Sequence, residues 1–368
     1  MTSVPAVDVR TWMCAVLTGI GLSVDDAGYV AASLSFADLR GVGTHGVLRL
    51  PTYVRRINAG GINVRADVTI TSDLGALVVV DADAGPGAST GVLATDIAVS
   101  RARSYGIGCV IAKNANHFGA SAYFTNRIAD AGMVGIAACN TEPVMCAPFG
   151  GAPVLGTNPI AVAVPLPYDT RPQLDMATTM TSQGRLILAA KADESIPPGW
   201  VVDAAGKPTT SPIAGLAGAL LPMGGPKGFG LAFAIDVLLA LGGAQVSTGV
   251  AALSGDPATP QNLGHLFIAV RADAAQPLEA YRDTVASLVE AIHQSSAGLE
   301  VPPAIAPGEP EVQREIHGGG LIELPSHVLA ELDGLALSTG VPLPPSMAHG
   351  IRASAVETST SNPEGGKQ

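Results

Sequence analysis

The chain has 368 residues, 47% of them apolar and 14% charged, with a net charge of −11. That is enough apolar material for one large or two to three modest domains, and the acidic balance argues against nucleic acid and anionic membranes as partners. The 44 Gly and 28 Pro are spread along the chain and call for many tight turns, not for disorder.

Cys14, Cys109, Cys139 and Cys146 form no C-x-x-C pair and read as free thiols in a reducing compartment. The start of the chain lacks the cationic-then-apolar pattern of a signal peptide, so a cytoplasmic location is expected. The most apolar window, 228–244, carries Asp236 and several glycines and reads as a buried helix, not a membrane span. No His/Cys/Asp cluster has the spacing of metal ligands.

Residues 7–39 predict two helices. Ser23 with Asp26 three later forms a capping box in which Asp replaces Glu, and Val30, Leu34, Ala37 and Leu39 supply an apolar stripe. The second helix leads into 40–53. Read on a helix, His45, Arg49 and Tyr53 stand i, i+4, i+8 and share one face. A base, a fixed cation and a phenol on one stripe suit a small acid: Arg forks onto a carboxylate and His moves a proton near neutral pH. Pro51 kinks that stripe or makes it start late.

Leu77–Asp81 is a strand, Gly85–Gly91 a glycine-rich loop, the stretch to Tyr105 a helix, and Gly108–Ala112 the next strand. This is the order of a dinucleotide-binding βαβ unit, but Thr90 stands where the third glycine belongs. Lys113 and Asn114 stand where an acidic residue is needed. The loop therefore reads as an ordinary helix start. Asn116-His117-Phe118-Gly119 lies just beyond the strand, where polar groups are well placed for a site in an α/β protein. Val134–Cys139 is a strand ending at Asn140-Thr141, and 160–164 is another. Leu174-Asp175-Met176-Ala177-Thr178 combines a carboxylate with a hydroxyl. Gly225-Pro226-Lys227-Gly228 opens an apolar helix over 229–241, and a lysine at a helix start suits phosphate. It is not a P-loop, since no Ser or Thr follows Lys227. Asp236 on that helix is a candidate partner for a cation.

Leu266–Val270 is a strand, and 277–294 an amphipathic helix with Leu278, Tyr281, Val285, Leu288, Val289 and Ile292 inward. Pro307-Gly308-Glu309-Pro310 leads a short helix, Ser326 caps the last one, and 353–368 reads as a disordered tail. His265, His293, His317, His327 and His349 have no supporting neighbours in the sequence and are given no role. Strands alternating with helices predict an α/β (α+β-like) protein with a mixed central sheet and flanking helices.

The stretch Asp38-Leu39-Arg40-Gly41-x-x-Thr44-His45-Gly46-x-x-Arg49-Leu50-Pro51-x-Tyr53 resembles the opening motif of the malate/L-lactate dehydrogenase family. This non-Rossmann group includes ureidoglycolate, sulfolactate and 2,3-diketogulonate oxidoreductases and cyclic-imine carboxylate reductases. Asn116–Gly119, Ala147–Gly151, Leu155–Pro159, Leu174–Thr178, Lys227-Gly228 and Pro307–Glu309 resemble its later motifs, in order. The resemblance implies an L-sulfolactate dehydrogenase-like fold. It divides the chain into an N-terminal helical region (1–66), a cofactor-binding centre (67–275), C-terminal helices packed on the N-terminal part (276–352) and the tail. It implies hydride transfer between NAD or NADP and a small 2-hydroxy or 2-oxo acid, by a homodimer. A cyclic imino carboxylate as substrate, and a catalytically silent small-acid binder on the same scaffold, are the alternatives. His45 or His117 carries the proton. In some members the Asp matching Asp175 completes a Ser-His-Asp arrangement, in which Thr44 here replaces the Ser. Arg49 and Tyr53 bind substrate. Asn140, Thr141, Leu174 to Thr178, Pro226, Lys227, Gly308, Glu309 and Pro310 bind cofactor.

Overall fold

The computed structural model describes residues 1–348. Strand β1 (Thr2–Pro5) precedes α1 (Ala6–Gly19) and α2 (Val24–Leu39), the two helices the apolar spacing predicts. Ser23 caps α2: its Oγ accepts the Asp26 amide at 3.1 Å and donates to the Asp26 carboxylate at 2.6 Å. Two 3₁₀ turns (Gly43–His45 and Val47–Arg49) lead to α3 (Leu50–Ala59).

The central part follows as β2 (Thr69–Asp73), β3 (Leu77–Asp81), α4 (Gly87–Tyr105), β4 (Ile107–Ala115), α5 (Ser121–Asp130), β5 (Met133–Cys139), β6 (Ile160–Ala163) and β7 (Gln173–Met176). A smaller layer holds α6 (Gln183–Lys191), β8 (Val201–Val202), β9 (Pro208–Thr209), α7 (Pro212–Leu216) and β10 (Ala219–Leu220). The chain then returns through α8 (Pro226–Ala240) and β11 (Leu263–Arg271). It closes with α9 (Leu278–Gln294), α10 (Glu309–His317), β12 (Leu321–Leu324) and α11 (Ser326–Thr339).

The main sheet has seven strands in the order β2-β3-β4-β11-β5-β6-β7. Only β3 and β4 run parallel; every other neighbouring pair is antiparallel. This is the mixed sheet the sequence predicts, and it is not a doubly wound parallel sheet. β11 enters from far along the chain and pairs on both sides, so it brings the 251–263 loop to the ends of β4 and β5. Helices α4 and α5 cover one face over a core with Phe118, Phe124 and Phe267, and α8 covers the other over Ile111, Ile235 and Leu266. The N-terminal helices share a third core with β12 and α11, including Trp12, Leu34, Leu50 and Leu332.

Three readings of the sequence change. Helix α9 buries none of its predicted inward residues completely, and Leu288 is 62% exposed. Amphipathic spacing shows that one face is apolar but not that anything within the chain covers it. Similarly, α8 buries Ala232, Ile235 and Leu239 while Phe233, Val237 and Leu241 stay exposed, so the apolar window is only half covered. Ser326 is the first residue of α11 and Pro325 holds the cap position without a side-chain bond. Among the described residues no helix is long and apolar enough to cross a membrane. His349 and the 353–368 stretch lie outside the described residues.

Candidate active site

The site begins where α2 ends. Asp38 reaches forward to accept the Val47 amide at 2.7 Å, which folds 41–49 back on the helix. Burial pushes this carboxyl up to about 7, against the lowering effect of the Val47 amide. Arg40, almost fully buried, donates to Tyr168 and Gln173 and stacks on Phe36, tying the end of α2 to the start of β7.

His45, Arg49 and Tyr53 do not share one helical stripe. Gly46 is extended at φ −91 and ψ −154 and breaks any helix there. Pro51 sits in the first turn of α3, where its missing N–H has no partner to lose. The turns nonetheless bring the three residues to one place. Thr44 Oγ1 lies 3.1 Å from His45 Nδ1, and Arg49 Nε donates to the Thr44 carbonyl at 2.6 Å. The two terminal nitrogens of Arg49 have no protein partner among the described residues.

His117 arrives from the end of β4. Asn116 anchors that loop, donating to the Ala84 and Gly85 carbonyls and accepting the Gln261 amide. Phe118 drops into the core between Phe124 and His265, with ring centroids 4.8 and 4.4 Å away. The glycine loop before α4 has a part here that its sequence hid. A Cβ on Gly87 would lie 2.0 Å from the Asn116 carbonyl and 2.4 Å from that of His117, so this close approach supports the site and the loop is more than a helix start.

The imidazole of His117 stacks on that of His45 at 5.6 Å, 17° apart. Its Nδ1 meets Tyr53 Oη at 2.5 Å and the Gly119 amide at 3.3 Å. A backbone N–H can only donate, so Nδ1 is an acceptor and the proton of the neutral ring sits on Nε2. Burial, then the Arg49 charge, lowers His45 to about 4. Burial first, then His45 and Arg49, holds His117 well below the ordinary histidine range. Burial also pushes the Tyr53 phenol up. Both rings are neutral at pH 7.

Asp175, at the end of β7, accepts the Ala122 amide at 2.8 Å and so satisfies an orphan donor of the first turn of α5. Burial raises it to about 6, against that amide and Arg40. Its hydrogen bond goes to this amide and not to either histidine.

These groups line a cleft of about 650 Å³, within the range of cofactor sites. Thr44, His45, Arg49 and His117 mark one end; Thr141, Leu174 to Ala177 and Gly308 form a wall running away from it. The wall is largely peptide backbone. Gly308, at φ +85, packs where a Cβ would lie 2.5 Å from the Gln173 carbonyl. A long groove with free peptide groups and a glycine pressed against its floor fits an extended dinucleotide.

Other predicted residues stand behind or beside this wall. Asn140 is fully buried, donating to Gln245 and accepting the Gly264 amide, and Thr178 donates to the Thr157 carbonyl. Lys227 is exposed at the start of α8, with Pro226 before it. Glu309 accepts the Ala306 amide and meets His293 at 2.6 Å, and Pro310 lies in the first turn of α10. Asp236 accepts the Ser247 amide and pairs with no cation. His265 has a setting after all: fully buried against Phe118, it is lowered to about 3 by burial. Sequence reading missed Glu142, which lines the cleft, because a lone acid after Asn140-Thr141 has no pattern around it.

The chain matches the family model described as malate/L-lactate dehydrogenase over residues 4–333. It is similar to the L-sulfolactate dehydrogenase of Methanocaldococcus jannaschii, 37% identical over 329 residues, 89% of this chain and 94% of that protein. The solved structure of the sulfolactate dehydrogenase from that organism superposes with a TM-score of 0.86 over 93% of this chain and 98% of that one. The malate dehydrogenase of Pyrococcus horikoshii OT3, 32% identical, superposes with a TM-score of 0.84 over 93% and 96%. The NAD(+)-dependent ureidoglycolate dehydrogenase of Escherichia coli K12 is 36% identical over 264 residues, 71% of this chain and 75% of that protein.

Proposed function

This chain belongs to the malate/L-lactate dehydrogenase family and is an NAD(P)-dependent 2-hydroxy acid dehydrogenase, and from that premise we propose that its two histidines divide the work at the substrate C2. The observation that carries this division is the pair of hydrogen bonds to His117 Nδ1. With Nδ1 occupied, the neutral ring offers only Nε2–H, so His117 donates to the C2 oxygen and polarises it. His45 carries the proton. Its affinity for a proton is lowered by burial and by Arg49. A substrate carboxylate on Arg49 offsets that charge and raises His45 again, so binding the acid prepares the base.

Arg49 holds the carboxylate with its terminal nitrogens as a fork, which orients C2. Bound nicotinamide supplies or takes the hydride. Thr141, Leu174, Asp175, Met176, Ala177 and Gly308 hold the cofactor, with Asn140 and Thr178 keeping the wall in place from behind. Lys227 and Pro226 at the start of α8 take a phosphate, and Glu309 and Pro310 hold Gly308 against the floor. Thr44 orients His45. Tyr53 serves through its hydrogen bond to His117. The exposed apolar faces of α8 and α9 support a homodimer, and four free cysteines support a reducing, cytoplasmic setting.

Long-range proton–nitrogen NMR of labelled histidine tests the division directly. His117 is expected as the Nε2–H tautomer, and the Nδ1–H form overturns the assignment. In a nicotinamide-reduction assay with a panel of 2-hydroxy acids, His117→Gln, which keeps a donor, should retain more rate than His117→Ala. His45→Gln should remove the acid limb of the pH profile.

A further inference from the structure

The cleft contains a carboxylate that the chemistry above does not use. Glu142 follows Thr141 on the loop after β5 and lines the same end of the cleft as Arg49, Thr52 and Ser254. It lies close enough to Arg49 for each to shift the other, yet among the described residues the two form no ion pair within 4.0 Å. Arg49 instead spends its Nε on the Thr44 carbonyl. A guanidinium and a carboxylate taken out of water attract strongly and would close on each other if nothing held them apart.

Both are held. Arg49 is fixed by Thr44 and by its place at the start of α3. Glu142 faces the Leu253 amide, on a loop that is itself pinned: Arg56, almost fully buried on α3, donates to the carbonyls of Leu253, Asp256 and Thr259. The scaffold thus keeps a cation and an anion on opposite sides of a gap, with the histidine pair beside it.

We infer that Glu142 accepts a hydrogen bond from the far end of the substrate, so that the preferred 2-hydroxy acid ends in a donor such as an amide, ureido, hydroxyl or ammonium group and not in a second carboxylate or a sulfonate. This rests on the reading that Arg49 holds the C1 carboxylate. A donor-tailed acid answers both ends of the gap at once. A dianion sets its second charge against Glu142 in a place where water screens little, and like charges brought together in an interface are costly. Burial raises the Glu142 carboxyl and the two arginines lower it, which favours an acceptor beside cations. Arg185 is the rival: it also lines the cleft and makes no side-chain bond among the described residues, but it is exposed, where its charge is screened.

The experiment compares three acids that share the 2-hydroxy acid head: 2-hydroxysuccinate, its 4-monoamide and 2-hydroxybutyrate. Nicotinamide reduction is followed with wild type, Glu142→Gln and Arg185→Gln. The monoamide is expected to exceed 2-hydroxysuccinate in kcat/KM by roughly tenfold or more in the wild type, and Glu142→Gln to shrink or invert that ratio. The wild-type ratio alone is decisive if the variant does not fold. A wild type that prefers 2-hydroxysuccinate, and loses that preference in Arg185→Gln, overturns the inference. A ratio unchanged by Glu142→Gln also overturns it. The apolar-tailed 2-hydroxybutyrate separates the two levels: its turnover upholds the head-group reading whatever the tail ratio shows. Failure of all three acids brings down both.

Discussion

The histidine end of the cleft and its long wall are made differently. His45, Arg49, Tyr53 and His117 are side chains withdrawn from water, each held by a named partner and each shifted by its surroundings. The wall at Leu174 to Ala177 and Gly308 is mostly backbone set by the β7 edge and the turn before α10. The first end works through charge and proton position, so a change of functional group there alters chemistry while leaving shape intact. The second works through shape, so adding a single methyl group there alters affinity while leaving chemistry intact.

Substitutions separate the two ends, beginning with the largest effect. His45→Ala should lower turnover by about 10²- to 10⁴-fold, the usual worth of a positioned acid–base group, with cofactor affinity by calorimetry close to wild type. Equal loss of both would mean that the two ends are not independent. Arg49→Lys keeps the charge and loses the fork. It should lower kcat/KM by roughly ten- to a hundredfold, about 1.4 to 2.7 kcal/mol, and wild-type kinetics would remove Arg49 from the substrate grip.

At the wall the expectation reverses. Gly308→Ala forces a left-handed residue to carry a Cβ against the Gln173 carbonyl. Cofactor affinity should fall by roughly tenfold, within the cost of such strain, while the pH profile of turnover keeps its shape. An altered profile would tie the wall to the proton chemistry. Lys227→Ala should weaken cofactor binding only severalfold, roughly the worth of one exposed charge near a helix start, and unchanged affinity by calorimetry would remove Lys227 from the phosphate site.

The smallest effect is on stability. Asp38 has a folded-state value raised to about 7 from 3.8. A raised carboxyl binds its proton better in the folded state, so its contribution is complete below pH 4 and is lost as pH rises through 7. Discounted for its partial exposure, that is roughly 1–2 kcal/mol between pH 5 and 8. Asp38→Asn, which still accepts the Val47 amide, should flatten this pH dependence in chemical denaturation. An unchanged slope would show that Asp38 does not titrate there.

Much of this was legible in the residues. The helices over 7–39, the Ser23 cap, the strands ending at Asp81, at the His117 loop and at Asn140, and the candidate groups Thr44, His45, Arg49, Tyr53, His117 and Asp175 all follow from spacing, capping chemistry or motif. Each rests on neighbours within a turn or two of chain, the range over which periodicity carries information. The order of the sheet did not follow, because β11 joins β4 to β5 across more than a hundred residues of intervening chain. Nor did the uncovered face of α9, since an apolar stripe looks the same whether its cover is another helix or another molecule.

The residue types in the cleft were thus a property of the sequence, whereas their roles came from contacts it does not record. His45, Arg49 and Tyr53 were visible as a set, but they meet through two 3₁₀ turns and not along a helix. That Tyr53 bonds His117, that Gly87 leaves room for the loop carrying that histidine, and that Glu142 faces Arg49 across a gap were decided by tertiary packing. The reason is physical: local spacing sets which groups a segment presents, while distance and burial set their proton state and partners, and both depend on what the rest of the chain brings alongside.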